Sequence, residues 1–169
     1  MHYLYLLSVW IHILAAIVWI GGAAFLVLVL MPALRRPEYQ AVSSPLLRWS
    51  AMRFRRIGWI SLSTLILTGI FNLGFRGFSW ASLFDGSLFH GPFGRLLAVK
   101  LSLVGFILFI SLLHDFFLGP RAASAILADP GSPEAKRGRL IAAWMGRLTL
   151  TTALAVVAAG VALVRGWPG

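Results

Sequence analysis

The chain has 169 residues, of which 59% are hydrophobic and 12% charged, with a net charge of +10 and a mean hydropathy of +0.86. A water-soluble domain of this size cannot keep its surface so apolar, so the composition points to a single membrane domain over residues 1–169. The absence of cysteine excludes disulfides, thiolate metal sites, iron–sulfur clusters and c-type haem attached through paired cysteines.

The first apolar run covers residues 3–31, roughly 43 Å as a helix. That exceeds the hydrocarbon core, so the helix is expected to tilt or protrude. It is too long for a signal peptide and no basic region precedes it, so it is expected to remain in the mature protein. Gly21, Gly22, Ala23 and Ala24 give it a small face on which a neighbour can pack closely. Pro32 and Pro37 mark its inner end. Residues 38–56 read either as a short amphipathic surface helix, with Leu46, Leu47, Trp49, Met52 and Phe54 between arginines, or as a solvated basic loop.

The second span covers residues 57–75 and carries Ser61, Ser63, Thr64, Thr68 and Asn72. Hydroxyls of this kind usually bond their own helix backbone. Residues 77–94 read as an outer interfacial cap with a short helical turn, with Trp80, Phe84, Phe89 and Phe93 at headgroup level. The third span covers 96–118, and Gly119-Pro120 reads as its stop signal. A polar loop is expected over 124–139, with a turn at Asp129-Pro130-Gly131. The fourth span, 141–164, is rich in alanine and is followed by Arg165 and Trp167, both natural interface anchors.

Eleven of the fifteen basic residues fall in or beside the two connections on one side of this arrangement. They are Arg35, Arg36, Arg48, Arg53, Arg55 and Arg56, then Arg121, Lys136, Arg137, Arg139 and Arg147. The positive-inside rule puts that side in the cytoplasm and both termini outside. Loops of this charge attract anionic lipid headgroups, and their placement argues against nucleic acid as a partner. The expectation is an all-α, polytopic, antiparallel four-helix bundle, N-out and C-out, in a bacterial-type inner membrane.

His12, Lys100 and His114 lie inside apolar spans, where an ionisable group costs several kcal/mol unless it faces the protein interior. Counting along each helix puts His12 roughly 8 Å, and Asn72 and Lys100 each roughly 9 Å, toward the outer face from mid-membrane. These three residues are expected to share a layer. His114 lies on the inner side, about 20 Å from His12 along the membrane normal. Two histidines holding one haem need similar depths, so His12 is expected to work with His90 or Lys100 rather than His114.

Each residue also has a plainer reading. His12 is either a hydrogen-bonding group between helices or a metal ligand, haem ligand or proton relay. Lys100 either snorkels to the outer surface or serves as an anion-binding group, a haem-propionate partner or an axial ligand. His114 and Asp115 suit local pairing, for instance Asp115 with Arg121, or proton transfer. His90 is either a surface histidine or an imidazole presented to an outer site. Met1, Met31, Met52 and Met145 form no Met-x-x-Met path, so a thioether-lined copper(I) pore has little support.

The run Ile11-His12-Ile13-Leu14-Ala15-Ala16-Ile17-Val18-Trp19-Ile20-Gly21-Gly22 resembles the first helix of the copper resistance protein D (CopD) family. Thr68-Gly69-Ile70-Phe71-Asn72 and Lys100-Leu101-Ser102-Leu103-Val104 are similar to its later helices. His114-Asp115-Phe116-Phe117-Leu118-Gly119-Pro120-Arg121 resembles an ending found in its small stand-alone members. The resemblance implies a four-helix inner-membrane protein linked to copper handling or uptake. A more distant resemblance, at His12 and Lys100, is to HemJ-type protoporphyrinogen oxidases, which implies a bound haem b. The expected role is therefore copper handling or a related haem b-dependent redox function, with a site of His12, Asn72, Lys100 and His90. Haem b and copper both remain open as the guest, and His12 and His90 are the expected metal ligands. Porphyrinogen oxidation and a structural subunit of a larger complex are the rivals. Membrane lipids, other membrane subunits and a second copy are the expected partners.

Overall fold

A computed structural model describes residues 2–165, and every regular element among them is helical. Trp167 lies outside the described residues, as do the side chains of Trp80 and Phe84. Four helices are long and apolar enough to cross a bilayer: α1 (His2–Ala33), α2 (Pro37–Phe75), α3 (Gly91–Ala128) and α4 (Pro133–Arg165). A one-turn helix, Trp80–Phe84, stands between α2 and α3, with the Ser79 hydroxyl accepting from the Ser82 amide at 3.3 Å.

The chain divides into two compact units, Met1–Leu88 and Phe89–Gly169. In the first, α1 packs against α2; in the second, α3 packs against α4. Each is an antiparallel helical hairpin. Large apolar side chains point away from these contacts: Trp10, Leu28, Ile60 and Leu67 are each about two-thirds exposed. Water would not tolerate such a surface, whereas lipid does.

Lipid also removes most of the hydrophobic drive between helices, so close packing at small residues must supply the cohesion. The Gly22 notch on α1 receives the Phe54 ring, and a Cβ there would fall 2.5 Å from Phe54 Cε2. The indole of Trp19, 6% exposed, lies over Gly58. Gly21, also expected in the small-residue face, meets nothing within 4 Å of a Cβ and faces outward. In the second hairpin, Gly138 brings α4 so close to α3 that a Cβ would lie 2.8 Å from Ala122 Cβ.

Two helices run well past the expected spans. Residues 38–56 are neither a separate surface helix nor a loop, because they form the first half of α2 with Pro45 inside it. At 39 residues, α2 is about 58 Å long, nearly twice the hydrocarbon thickness. It ends at Gly77 (φ 87°): the Gly77 amide reaches the Gly74 carbonyl and the Phe78 amide reaches the Leu73 carbonyl. Only glycine adopts that left-handed position without steric cost.

Gly119-Pro120 does not stop α3, which continues to Ala128. A π-turn at His114–Leu118 comes just before it, and a second π-turn, Leu26–Leu30, comes just before Pro32 in α1. Proline lacks an amide hydrogen and its ring crowds the carbonyl four residues back. The wider turn relieves that crowding and lets the helix go on. The expected polar loop over 124–139 therefore shrinks to a tight turn. Asp129 Oδ1 accepts from the Gly131 amide at 2.8 Å, and Ser132 caps α4 by accepting from the Ala135 amide at 3.2 Å. Pro133 takes the first helical position, where a missing amide hydrogen costs nothing.

Candidate functional site

On α1, Tyr5, Ser8, His12, Trp19 and Gly22 recur at helical spacing and line the side turned to α2. His12 Nδ1 lies 2.7 Å from Thr68 Oγ1 on α2. Thr68 Oγ1 also lies 2.6 Å from the Thr64 carbonyl, to which it donates its single proton. The hydroxyl then accepts from His12, which places a proton on Nδ1. Gly69, beside Thr68, makes room for the ring: a Cβ there would lie 3.6 Å from His12 Cε1.

Further toward the start of α1, Tyr5 stacks on Phe75, with ring centroids 4.7 Å apart. Ser8 lies between Tyr5 and His12 on α1, and Asn72 lies between Thr68 and Phe75 on α2. The same antiparallel register therefore brings Ser8 and Asn72 to a common level, one turn from the His12–Thr68 bond. Ser8 Oγ and Asn72 Oδ1 are the two buried side-chain polar atoms that find no hydrogen-bond partner among the described residues. Leaving such an atom unsatisfied costs about 1–3 kcal/mol.

In the second hairpin, Lys100 is half-buried and its Nζ reaches the α4 backbone at Gly160, 3.6 Å from where a Cβ would stand. His90 is exposed, in extended conformation just before α3. His114 Nδ1 lies 3.0 Å from Asp115 Oδ1, so local pairing does occur, with the adjacent histidine. The pair sits in the π-turn, and His114 lines a cavity of about 320 Å³ together with Arg121, Glu134 and Arg137. Among the described residues, no three His, Cys, Asp or Glu side chains gather as a metal-holding group.

Sequence reasoning singled out His12 and Asn72 and missed Ser8. The signal was available, because Ser8 stands four residues before His12 and therefore on its face. Thr68 was read only as a backbone-bonding hydroxyl; it does bond its own backbone, and it also holds the imidazole.

This architecture, two helical hairpins of lipid-compatible surface with few polar side chains held between helices, is that of a multi-pass membrane protein. The family model "Copper resistance protein D" (CopD) matches residues 49–164, and the chain belongs to that family. An uncharacterized protein of Aquifex aeolicus (strain VF5) is 29% identical over 95% of this chain and 96% of its own length. The copper transport protein CutJ of Bacillus subtilis (strain 168) is 32% identical over 62% of this chain, a match that spans only 17% of the longer relative. No solved structure matches.

Proposed function

We propose that this protein handles copper within the membrane, with His12 as the ligating imidazole. The observation that carries the reading is the orientation of His12 by Thr68. A histidine whose Nδ1–H is bound to a neighbour presents Nε2 as a ligand, and such outer partners hold metal-binding imidazoles in place. Membership of the copper resistance family and the likeness to a copper transport protein supply the ion. Asn72, one turn beyond Thr68, contributes a carbonyl oxygen to the same region.

Haem b fits the first hairpin less well. It calls for an axial partner such as His, Met, Cys or Tyr. The atoms without partners near His12 are a serine hydroxyl and an amide oxygen. That donor set suits a small cation, with imidazole and oxygen both acceptable to copper. In this proposal the single domain of four helices sits in the inner membrane with its arginine-rich connections in the cytoplasm, in contact with anionic lipid.

The test is elemental analysis and an optical spectrum of the purified protein, wild type and His12→Ala. Stoichiometric copper in the wild type, lost in the variant, is expected. A haem Soret band without copper, or copper content indifferent to His12→Ala, overturns the proposal.

A further inference from the structure

Ser8 differs from the threonines that sit between the helices of this chain. Thr64 donates to the Ile60 carbonyl at 2.8 Å, Thr68 to Thr64 at 2.6 Å and Thr152 to Leu148 at 2.8 Å. Each hands its proton to the carbonyl four residues back, the usual solution in an apolar medium. Ser8, only 8% exposed, makes no such bond. Its oxygen and Asn72 Oδ1 stand at the same level of the hairpin, both shut off from solvent and both without a protein partner among the described residues. Two orphaned oxygens facing one layer, one turn from an oriented imidazole, are the signature of a bound polar guest.

The chemistry of the donors says which guest. The layer offers one imidazole nitrogen, a hydroxyl and an amide carbonyl. Among the described residues it contains no sulfur, because the chain has no cysteine and Met31, Met52 and Met145 fall in other stretches. Soft copper(I) seeks thiolate and thioether ligands, whereas copper(II) takes mixed nitrogen and oxygen sets. We infer that Ser8 completes the His12 site with Asn72, and that the ion held there is copper(II) rather than copper(I). The inference rests on the copper reading given above. A trapped water bridging the two oxygens is the plain alternative, and it predicts no effect of Ser8 on the ion.

The experiment is a chelator-competition titration of the purified full chain in detergent. It uses copper(II) in air and copper(I) under anaerobic reducing conditions, with electron paramagnetic resonance on the copper(II) samples. The wild type is expected to bind copper(II) more tightly, with nitrogen hyperfine structure that His12→Ala removes. Ser8→Ala and Asn72→Leu should each weaken copper(II) binding by about tenfold or more, while Ser8→Thr, which keeps the hydroxyl, should not. Ser8→Cys supplies a soft donor and should shift the preference toward copper(I). Tighter binding of copper(I) by the wild type, or copper(II) affinity unchanged in both Ser8→Ala and Asn72→Leu, overturns this inference alone. Copper binding unchanged in His12→Ala overturns the proposed function itself.

Discussion

Thr68→Val separates the role of the hydroxyl from that of the imidazole. Valine keeps the shape of the side chain and removes the acceptor that sits 2.7 Å from His12 Nδ1. Hydrogen bonds between membrane helices are worth about 0.6 kcal/mol on average and 1.7 at most. The hairpin also holds at Gly22 and Gly58, so the fold should survive with a small fall in thermal midpoint. Copper binding should suffer more. Freeing the ring lets Nδ1 and Nε2 exchange the proton and lets the imidazole turn, and losing such an outer partner typically costs 10–100-fold in metal affinity. That corresponds to about 1.4–2.7 kcal/mol. Competition titration with a chromophoric chelator measures it, alongside thermal unfolding in the same detergent. Thr68→Ser retains the oxygen and should bind like the wild type. If Thr68→Val binds copper within twofold of the wild type, or Thr68→Ser is equally impaired, the hydroxyl does not orient the ligand and the reasoning fails.

Gly22→Leu must displace the Phe54 ring and should lower stability by about 1–3 kcal/mol; Gly21→Leu, on the open side, should stay within about 0.5 kcal/mol. Equal thermal midpoints for the two would contradict the packing described. Gly138→Val meets Ala122 in the second hairpin and should likewise cost about 1–3 kcal/mol, read from the same thermal scan. Because the chain has no cysteine, single-cysteine variants report sidedness cleanly. Arg48→Cys and Ser132→Cys should resist an impermeant maleimide in cells with only the inner membrane intact, while Ser87→Cys should be labelled; the opposite pattern would invert the orientation.

The four spans were legible because hydropathy alone marks a segment that lipid accepts. Their ends were not. Hydropathy falls at residues 38–56, yet the backbone keeps its helical bonds through Arg48, Arg53 and Arg55, so α2 starts a whole amphipathic stretch earlier. At Gly119-Pro120 local chemistry argued for a stop, and the π-turn before it overrode that signal. The site was half legible. A histidine in an apolar run draws attention by its cost, so His12 stood out. Thr68 and Ser8 are common in membrane helices and become informative only when register shows what each faces.

The two π-turns have a consequence for how the chain tolerates change in length. Each holds one residue more than an α-helix would use over the same rise, at Leu26–Leu30 and at His114–Leu118. Deleting a single residue such as Val27 would let the wide turn close into an ordinary one, restoring the crowding by Pro32 but sparing the register of what lies downstream. The slack lies on the far side of Gly22 from His12, so the alignment of Ser8, His12, Thr68 and Asn72 is insulated from one-residue indels near Pro32.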